Sequence, residues 1–309
     1  MALDRFARRF LDLTNAGLTM RPGEPTLSEM RAGTEALAAL AGATNSSEID
    51  ARDAALDKGA IPIRIYAPLS LRDESAPGLV YFHGGGWLSG GLDSHDAICR
   101  ALAASSRCRI LSVAYRLSPE HRFPAAIEDC LRVVEIVSAR PARLGLDASR
   151  IGVAGDSAGG NLAVVVCQLA KARGLRLALQ VLLCPVMDAL GRTPSRRAFG
   201  AGYFLEERSL TRYWEHYRIP GLDPDDPRVS PSQGGDFRDL PPALIHTAQY
   251  DPLRDEGALY AEALAGAGIA AQLHEHPGMI HHFYGLGGAI PYAAAAWTMI
   301  GGQIRQALA

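Results

Sequence analysis

Apolar residues recur at helical spacing twice before any strand pattern begins. Phe6, Phe10 and Leu13 form one stripe, and Leu27, Met30, Thr34 and Leu37 form another beyond the breaker Arg21-Pro22-Gly23. Two helices are therefore predicted within residues 1–45. After them the pattern changes to short β-rich runs. Ile61 to Tyr66, Leu79 to Phe82, Arg109 to Ala114, Ile151 to Ala154, Leu179 to Cys184, Ala243 to Ala248 and Ala271 to His276 read as strands, with a weaker one near Ala54 to Asp57. Ser94 to Ala104, Pro124 to Ala139 and Asn161 to Ala172 read as helices between them. This alternation predicts an α/β fold, with a mostly parallel sheet of about eight strands and helices covering both faces.

Between Pro185 and Pro242 the alternation stops. Gly200-Ala201-Gly202 leads into Tyr203, Phe204, Trp214 and Tyr217 on a predicted helix, and a stretch rich in Pro and Asp follows. The segment is too long for an ordinary loop, so it predicts an insertion over the sheet. Ala293 to Ala296 mark the last helix.

Composition changes this picture mainly by exclusion. The 309 residues are 48% hydrophobic and 21% charged, a balance that buries a large core and rules out a disordered or collagen-like chain. Lys plus Arg number 31 against 33 Asp plus Glu, a net charge of -2, so no nucleic-acid partner is expected. Cys99, Cys108, Cys130, Cys167 and Cys184 show no CxxC spacing, which points away from a zinc site or a disulfide framework and toward a reducing compartment. Arg5, Arg8 and Arg9 precede no apolar run of signal-peptide length, and no stretch has the ~18 apolar residues of a membrane helix. A cytoplasmic location is expected.

Two glycine-rich turns carry the chemistry. Gly155-Asp156-Ser157-Ala158-Gly159 fits G-x-S-x-G and lies between a predicted strand and a predicted helix, where a nucleophile elbow belongs. Gly155 and Gly159 lack the Cβ atoms that would collide in so sharp a turn. His83-Gly84-Gly85-Gly86-Trp87 follows another strand and exposes backbone N–H groups that no side chain shields. Such amides suit the oxyanion of acyl transfer, each donor being worth ~3 kcal/mol. A further donor would be the N–H of Ala158, at the positive end of its helix.

These turns, together with Tyr115-Arg116-Leu117-Ser118-Pro119-Glu120-His121, Phe123-Pro124-Ala125-Ala126 and Asp251-Pro252-Leu253-Arg254-Asp255-Glu256-Gly257, resemble the bacterial hormone-sensitive-lipase-like (family IV) esterases of the α/β-hydrolase fold. The resemblance spans about residues 60 to 285. It implies a catalytic domain of residues 46–309, capped by the helices of residues 1–45 and by an insertion at about 187–225. It also implies a Ser-His-Asp triad, no metal or organic cofactor, and hydrolysis of short- to medium-chain acyl esters. Relatives form dimers through the edge strand that corresponds here to Ala271 to His276.

Chain order places the triad acid beyond a late strand, where Asp251 and Asp188 both qualify. Asp251 before Pro252 also reads as a helix start. The resemblance maps the acid onto Asp251. Order leaves His274, His276, His281 and His282 for the base, and the first two fall in a predicted strand. The family motif Gly-x-x-His-Gly-Phe matches Gly278-Met279-Ile280-His281 and Phe283 but has glycine where His282 stands, which makes His281 the base and His282 a departure.

The expected reaction is attack by Ser157 with His281 as base and Asp251 as its orienting acid, through an acyl-enzyme. Gly85, Gly86 and Ala158 would bind the oxyanion, with Gly84 shaping the loop. Trp87, Tyr203, Phe204, Leu205, Trp214, His282, Phe283 and Tyr284 are pocket candidates, although aromatics at such spacing serve core packing as often. Asp156 and Glu120 are expected to support loops. The same machinery could cleave amides or carbamates or transfer the acyl group, and a non-catalytic receptor for small molecules is the reading from another class.

Overall fold

The computed structural model describes residues 2–19, 23–42, 46–72, 74–234 and 236–309, so Arg21 and Pro22 of the predicted breaker lie outside the described residues. Two helices open the chain, α1 (Arg5–Thr19) and α2 (Leu27–Ala38). Strands β1 (Ile49–Leu56), β2 (Ile61–Pro68) and β3 (Ala76–Phe82) lead to α3 (Asp96–Ser106), β4 (Arg109–Val113) and α4 (Ala125–Ala139). Next come β5 (Leu146–Asp156), α5 (Ala158–Ala172) and β6 (Gln180–Leu183). The predicted insertion holds α6 (Pro194–Phe199) and α7 (Glu207–Tyr217), before β7 (Ala243–Tyr250), α8 (Arg254–Gly266), β8 (Ala271–Ile280) and α9 (Tyr292–Ala307).

The strands form one eight-stranded sheet in the order β1-β2-β4-β3-β5-β6-β7-β8. Its first two pairings are antiparallel and the rest parallel. Alternation along β3 explains the layering. Val80 and Phe82 face a core shared with α4, α5 and α8, while Leu79 and Tyr81 face the opposite core, shared with α1, α3 and α9. Because β3, β5, β7 and β8 run in parallel, the turns leaving them lie at one edge of the sheet, which is where open α/β sheets form their sites.

One detail of the first helix differs from expectation. Ala7, Phe10 and Leu11 are its buried stripe, Phe6 is half-buried, and Leu13 is 68% exposed. The start of the helix decides this. Asp4 accepts from the amides of Phe6 and Ala7 and donates its own N–H to the Gly278 carbonyl, which fixes the rotation of α1 on β8. On α2, closed by a Thr26–Glu29 capping box, the predicted stripe of Leu27, Met30, Thr34 and Leu37 is half-buried.

Candidate active site

The chain reverses direction between the last residue of β5 and the first of α5, and Ser157 makes that turn alone with φ 52° and ψ -118°. A β-carbon occupies this region of backbone space only under strain. The surroundings hold it there: Ser157 N–H donates to the Leu183 carbonyl at 2.9 Å, and its own carbonyl accepts from Asn161 N–H at 3.1 Å. A Cβ on Gly155 would run into the Gly159 carbonyl, and one on Gly159 into the carbonyls of Phe82 and His83. Ser157 itself is half-exposed amid buried neighbours.

The loop after β3 wraps against this turn. Gly85 (φ 108°) and Gly86 (φ 61°) adopt left-handed backbone, and among the described residues their amides donate to no protein acceptor. The amide of Gly84, by contrast, donates to Asp156 Oδ1 at 2.8 Å, so Gly84 tethers the loop and its own N–H is occupied. Tyr115 stacks on the His83 ring at 4.2 Å and donates its hydroxyl to the His83 carbonyl at 2.7 Å. Burial pushes the His83 imidazole down to about 3, so it stays uncharged beside these amides.

His281, immediately after β8, points Nδ1 at Asp251 Oδ2 across 2.7 Å, and both side chains are buried. A carboxylate can only accept, so Nδ1 carries the hydrogen and Nε2 is left with its lone pair. The other oxygen of Asp251 accepts from Leu253 N–H at 2.8 Å. Asp188 is engaged elsewhere: it accepts from Arg192 and from the amides of Leu190 and Arg192, closing its own loop. His274 and His276 stand beside His246 in the β7–β8 pair, where His276 Nε2 meets His246 Nδ1 at 3.1 Å.

Not every pocket candidate has surface to offer. Trp87 is 4% exposed and stacks face to face on Tyr217 at 4.5 Å, and Phe283 is fully buried against His276, Tyr284 and Tyr292. Both are core rings, as is Tyr284, whose carbonyl accepts from Trp297. Leu205 is nearly buried. Half-buried Tyr203 stacks on Tyr250, Phe204 meets Phe10 of α1 edge to face, and half-buried Trp214 packs on the core beside α4 and α5.

Three contributors went unnoticed in the sequence. Tyr213 of α7 covers Gly86 so closely that a Cβ there would strike its ring. The spacing Leu210, Tyr213, Trp214, Tyr217 was a signal that could have found it. Arg31 of α2 donates to both oxygens of Glu120 and to the carbonyls of Leu88 and Ser118, docking that helix beside the glycine loop. This hydrogen bonding brings the Glu120 carboxyl down to about 2. Cys184 lies within 4.8 Å of the ligand atoms of Asp251 and His281. Burial and the neighbouring Asp251 push its thiol well above the ordinary range, so it serves as a neutral S–H group within a hydrogen-bonded cluster.

Among the described residues, no helix is long and apolar enough to cross a membrane. A family model described as alpha/beta hydrolase fold matches residues 79–285. The chain is 42% identical over 241 residues to carboxylesterase NlhH of Mycobacterium tuberculosis, covering 76% of this chain and 75% of that one. It is 40% identical over 257 residues to an ethyl acetate hydrolase of Pseudomonas putida, covering 82% and 80%. In three dimensions it superposes on a hyperthermophilic esterase of Pyrobaculum calidifontis with a TM-score of 0.90 at 35% identity, over 100% of both chains. An ester hydrolase from the metagenome of Lake Arreo, complexed with a bipyridine phosphonate derivative, matches with a TM-score of 0.92 at 37% identity over 98% of each chain. The chain thus belongs to the hormone-sensitive-lipase-like family of α/β-hydrolases, together with these carboxylesterases.

Proposed function

We propose that this carboxylesterase hydrolyses short- to medium-chain acyl esters by a Ser157–His281–Asp251 relay. The observation that carries the reading is the 2.7 Å contact from His281 Nδ1 to Asp251 Oδ2, which leaves Nε2 free to accept a proton, and the reading pairs that nitrogen with strained Ser157. Ser157 Oγ bonds to the ester carbonyl carbon as its proton passes to His281 Nε2. The carbonyl π electrons move onto oxygen, and the N–H groups of Gly85, Gly86 and Ala158 stabilise that charge. Collapse expels the alkoxide, which takes the proton from His281. Water, activated by the same imidazole, then attacks the acyl-enzyme, and Ser157 is released with a carboxylic acid.

Asp251 stabilises the imidazolium by charge and keeps Nδ1 protonated. Substrate size follows from Tyr213 over Gly86 and from α2 docked beside the glycine loop, both of which limit depth. The five cysteines are free and buried, which supports a reducing cytoplasmic setting. The partner is a small ester, and an edge strand β8 with Leu273 43% exposed supports a homodimer. The test is fluorophosphonate labelling of wild type and Ser157→Ala. Labelling of the wild type alone supports the relay, and equal labelling of both overturns it.

A further inference from the structure

Asp156, the residue before the nucleophile, is 1% exposed and plays no part in the bond changes just described. Its Oδ1 accepts from Gly84 N–H at 2.8 Å and from the Tyr81 hydroxyl at 2.5 Å. Its Oδ2 accepts from the Tyr284 hydroxyl at 3.4 Å and faces His95 Nε2 at 3.6 Å and His282 Nδ1 at 3.8 Å. The elbow, the glycine loop and the loop that follows β8 therefore converge on one carboxylate. A buried carboxylate survives only with compensation. Burial opposes its charge, yet the His95 and His282 imidazoles hold the carboxyl well below the usual range.

His282 is an unusual residue to find in this position. Its φ is 63°, in the left-handed region that favours glycine. Histidine is one of the side chains that enter this region more readily than most, so what its ring contacts indicates its role. The ring packs over Gly285, where a Cβ would collide with it, and meets Tyr284 edge-on at 5.3 Å and His95 at 6.2 Å. Besides Asp156, the titratable groups facing His282 are His95 at the start of α3, Tyr284 on the following turn, adjacent His281, and the Cys184 thiol beyond β6.

We propose that His282 is a positioning residue for ester hydrolysis, linking the loop of His281 to the carboxylate that tethers Gly84, so that base and oxyanion donors keep one register. The inference rests on the Ser157–His281–Asp251 reading. At 3.8 Å the link is a polar contact longer than a hydrogen bond, and burial disfavours a charge on the ring. It acts on the catalytic groups through Asp156 and does not touch substrate. Its loss should therefore lower kcat while leaving KM in place.

The experiment compares wild type, His282→Gly and His282→Asn on p-nitrophenyl butyrate, with rates normalised to active sites titrated by a fluorophosphonate. Glycine fits the backbone and removes the ring, while asparagine also tolerates left-handed backbone and returns an N–H that can approach Asp156. His282→Gly is expected to lower kcat about fivefold with KM changed less than about twofold, and His282→Asn to recover at least half of the loss. In an Asp156→Asn background, His282→Gly should cost little more. If Asp156→Asn does not fold, the two His282 variants decide alone. An unchanged kcat for His282→Gly, or equal rates for the glycine and asparagine variants, overturns the proposal. Wild-type labelling that persists in Ser157→Ala would instead overturn the relay beneath it.

Discussion

The ring of Tyr213 lies flat against Gly86, in the space a β-carbon at position 86 would occupy. Helix α7 thus closes directly onto the glycine loop, at a residue proposed to bind the oxyanion. Removing the ring should deepen the pocket. Tyr213→Ala is expected to move the optimum of a p-nitrophenyl ester series toward longer acyl chains by about two carbons, whereas Gly86→Ala should lose about 10²-fold in kcat as its amide is displaced. An unmoved optimum in Tyr213→Ala would place the acyl pocket elsewhere.

Ser157→Ala should abolish hydrolysis, by a factor on the order of 10⁶, and Asp251→Asn should cost about 10⁴ through the wrong imidazole tautomer. Asp188→Asn is the informative control. Because Asp188 accepts from Arg192 and from its own loop amides, its loss should lower Tm and leave kcat within about threefold. If it impairs kcat more than Asp251→Asn does, the acid has been assigned to the wrong strand.

Gly159→Ala should be among the most damaging small substitutions, because the new methyl meets the carbonyls of Phe82, the last residue of β3, and of His83 beside it. Overpacking of this kind costs about 1–3 kcal/mol or more. Soluble yield and urea midpoint measure it, and a midpoint equal to wild type would mean that α5 shifts freely.

Acid should destabilise the fold strongly. Burial lowers His83 and His276 from 6.5 to about 3, and His246 well below its ordinary value. On unfolding, each takes up a proton between those limits. Stability is therefore complete above about pH 6.5 and is lost as pH falls toward 3, by up to ~1.4 kcal/mol per pH unit for each group. Glu256 works in the opposite sense, since burial raises it from 4.5 to about 7 and its contribution fades as pH rises through that range. Three groups against one predict a Tm about 5–10 °C lower at pH 5 than at pH 7. A flat Tm between these values would show that the histidines are charged in the fold or solvated.

The pH–rate profile offers a separate check on His282. Burial lowers its affinity for protons despite Asp156, so a charge on the ring beside the proposed base is disfavoured. His282→Gly should then leave the rising limb of kcat/KM within about 0.3 units. An upward shift of half a unit or more would mean that His282 is charged beside the working base.

Sequence periodicity was enough to predict the alternating strands and helices, the segment between Pro185 and Pro242 that breaks it, and both glycine turns. Those features are local: side-chain spacing tracks backbone pitch, and a sharp turn needs glycine whatever surrounds it. Tertiary structure decided what depends on residues far apart in the chain. Asp251 and Asp188 both follow strands, and only the packing of β8 beside β7 brings His281 to the first. Trp87 and Phe283 look like pocket aromatics until Tyr217, His276 and Tyr292 cover them. Leu13 looks like core until Asp4 sets the rotation of α1. Asp156, Gly84, Tyr81, His95 and His282 come from four separate stretches that only the folded sheet brings together. A side chain's partners follow from the path of the whole chain, whereas the period of its neighbours is written in a dozen residues.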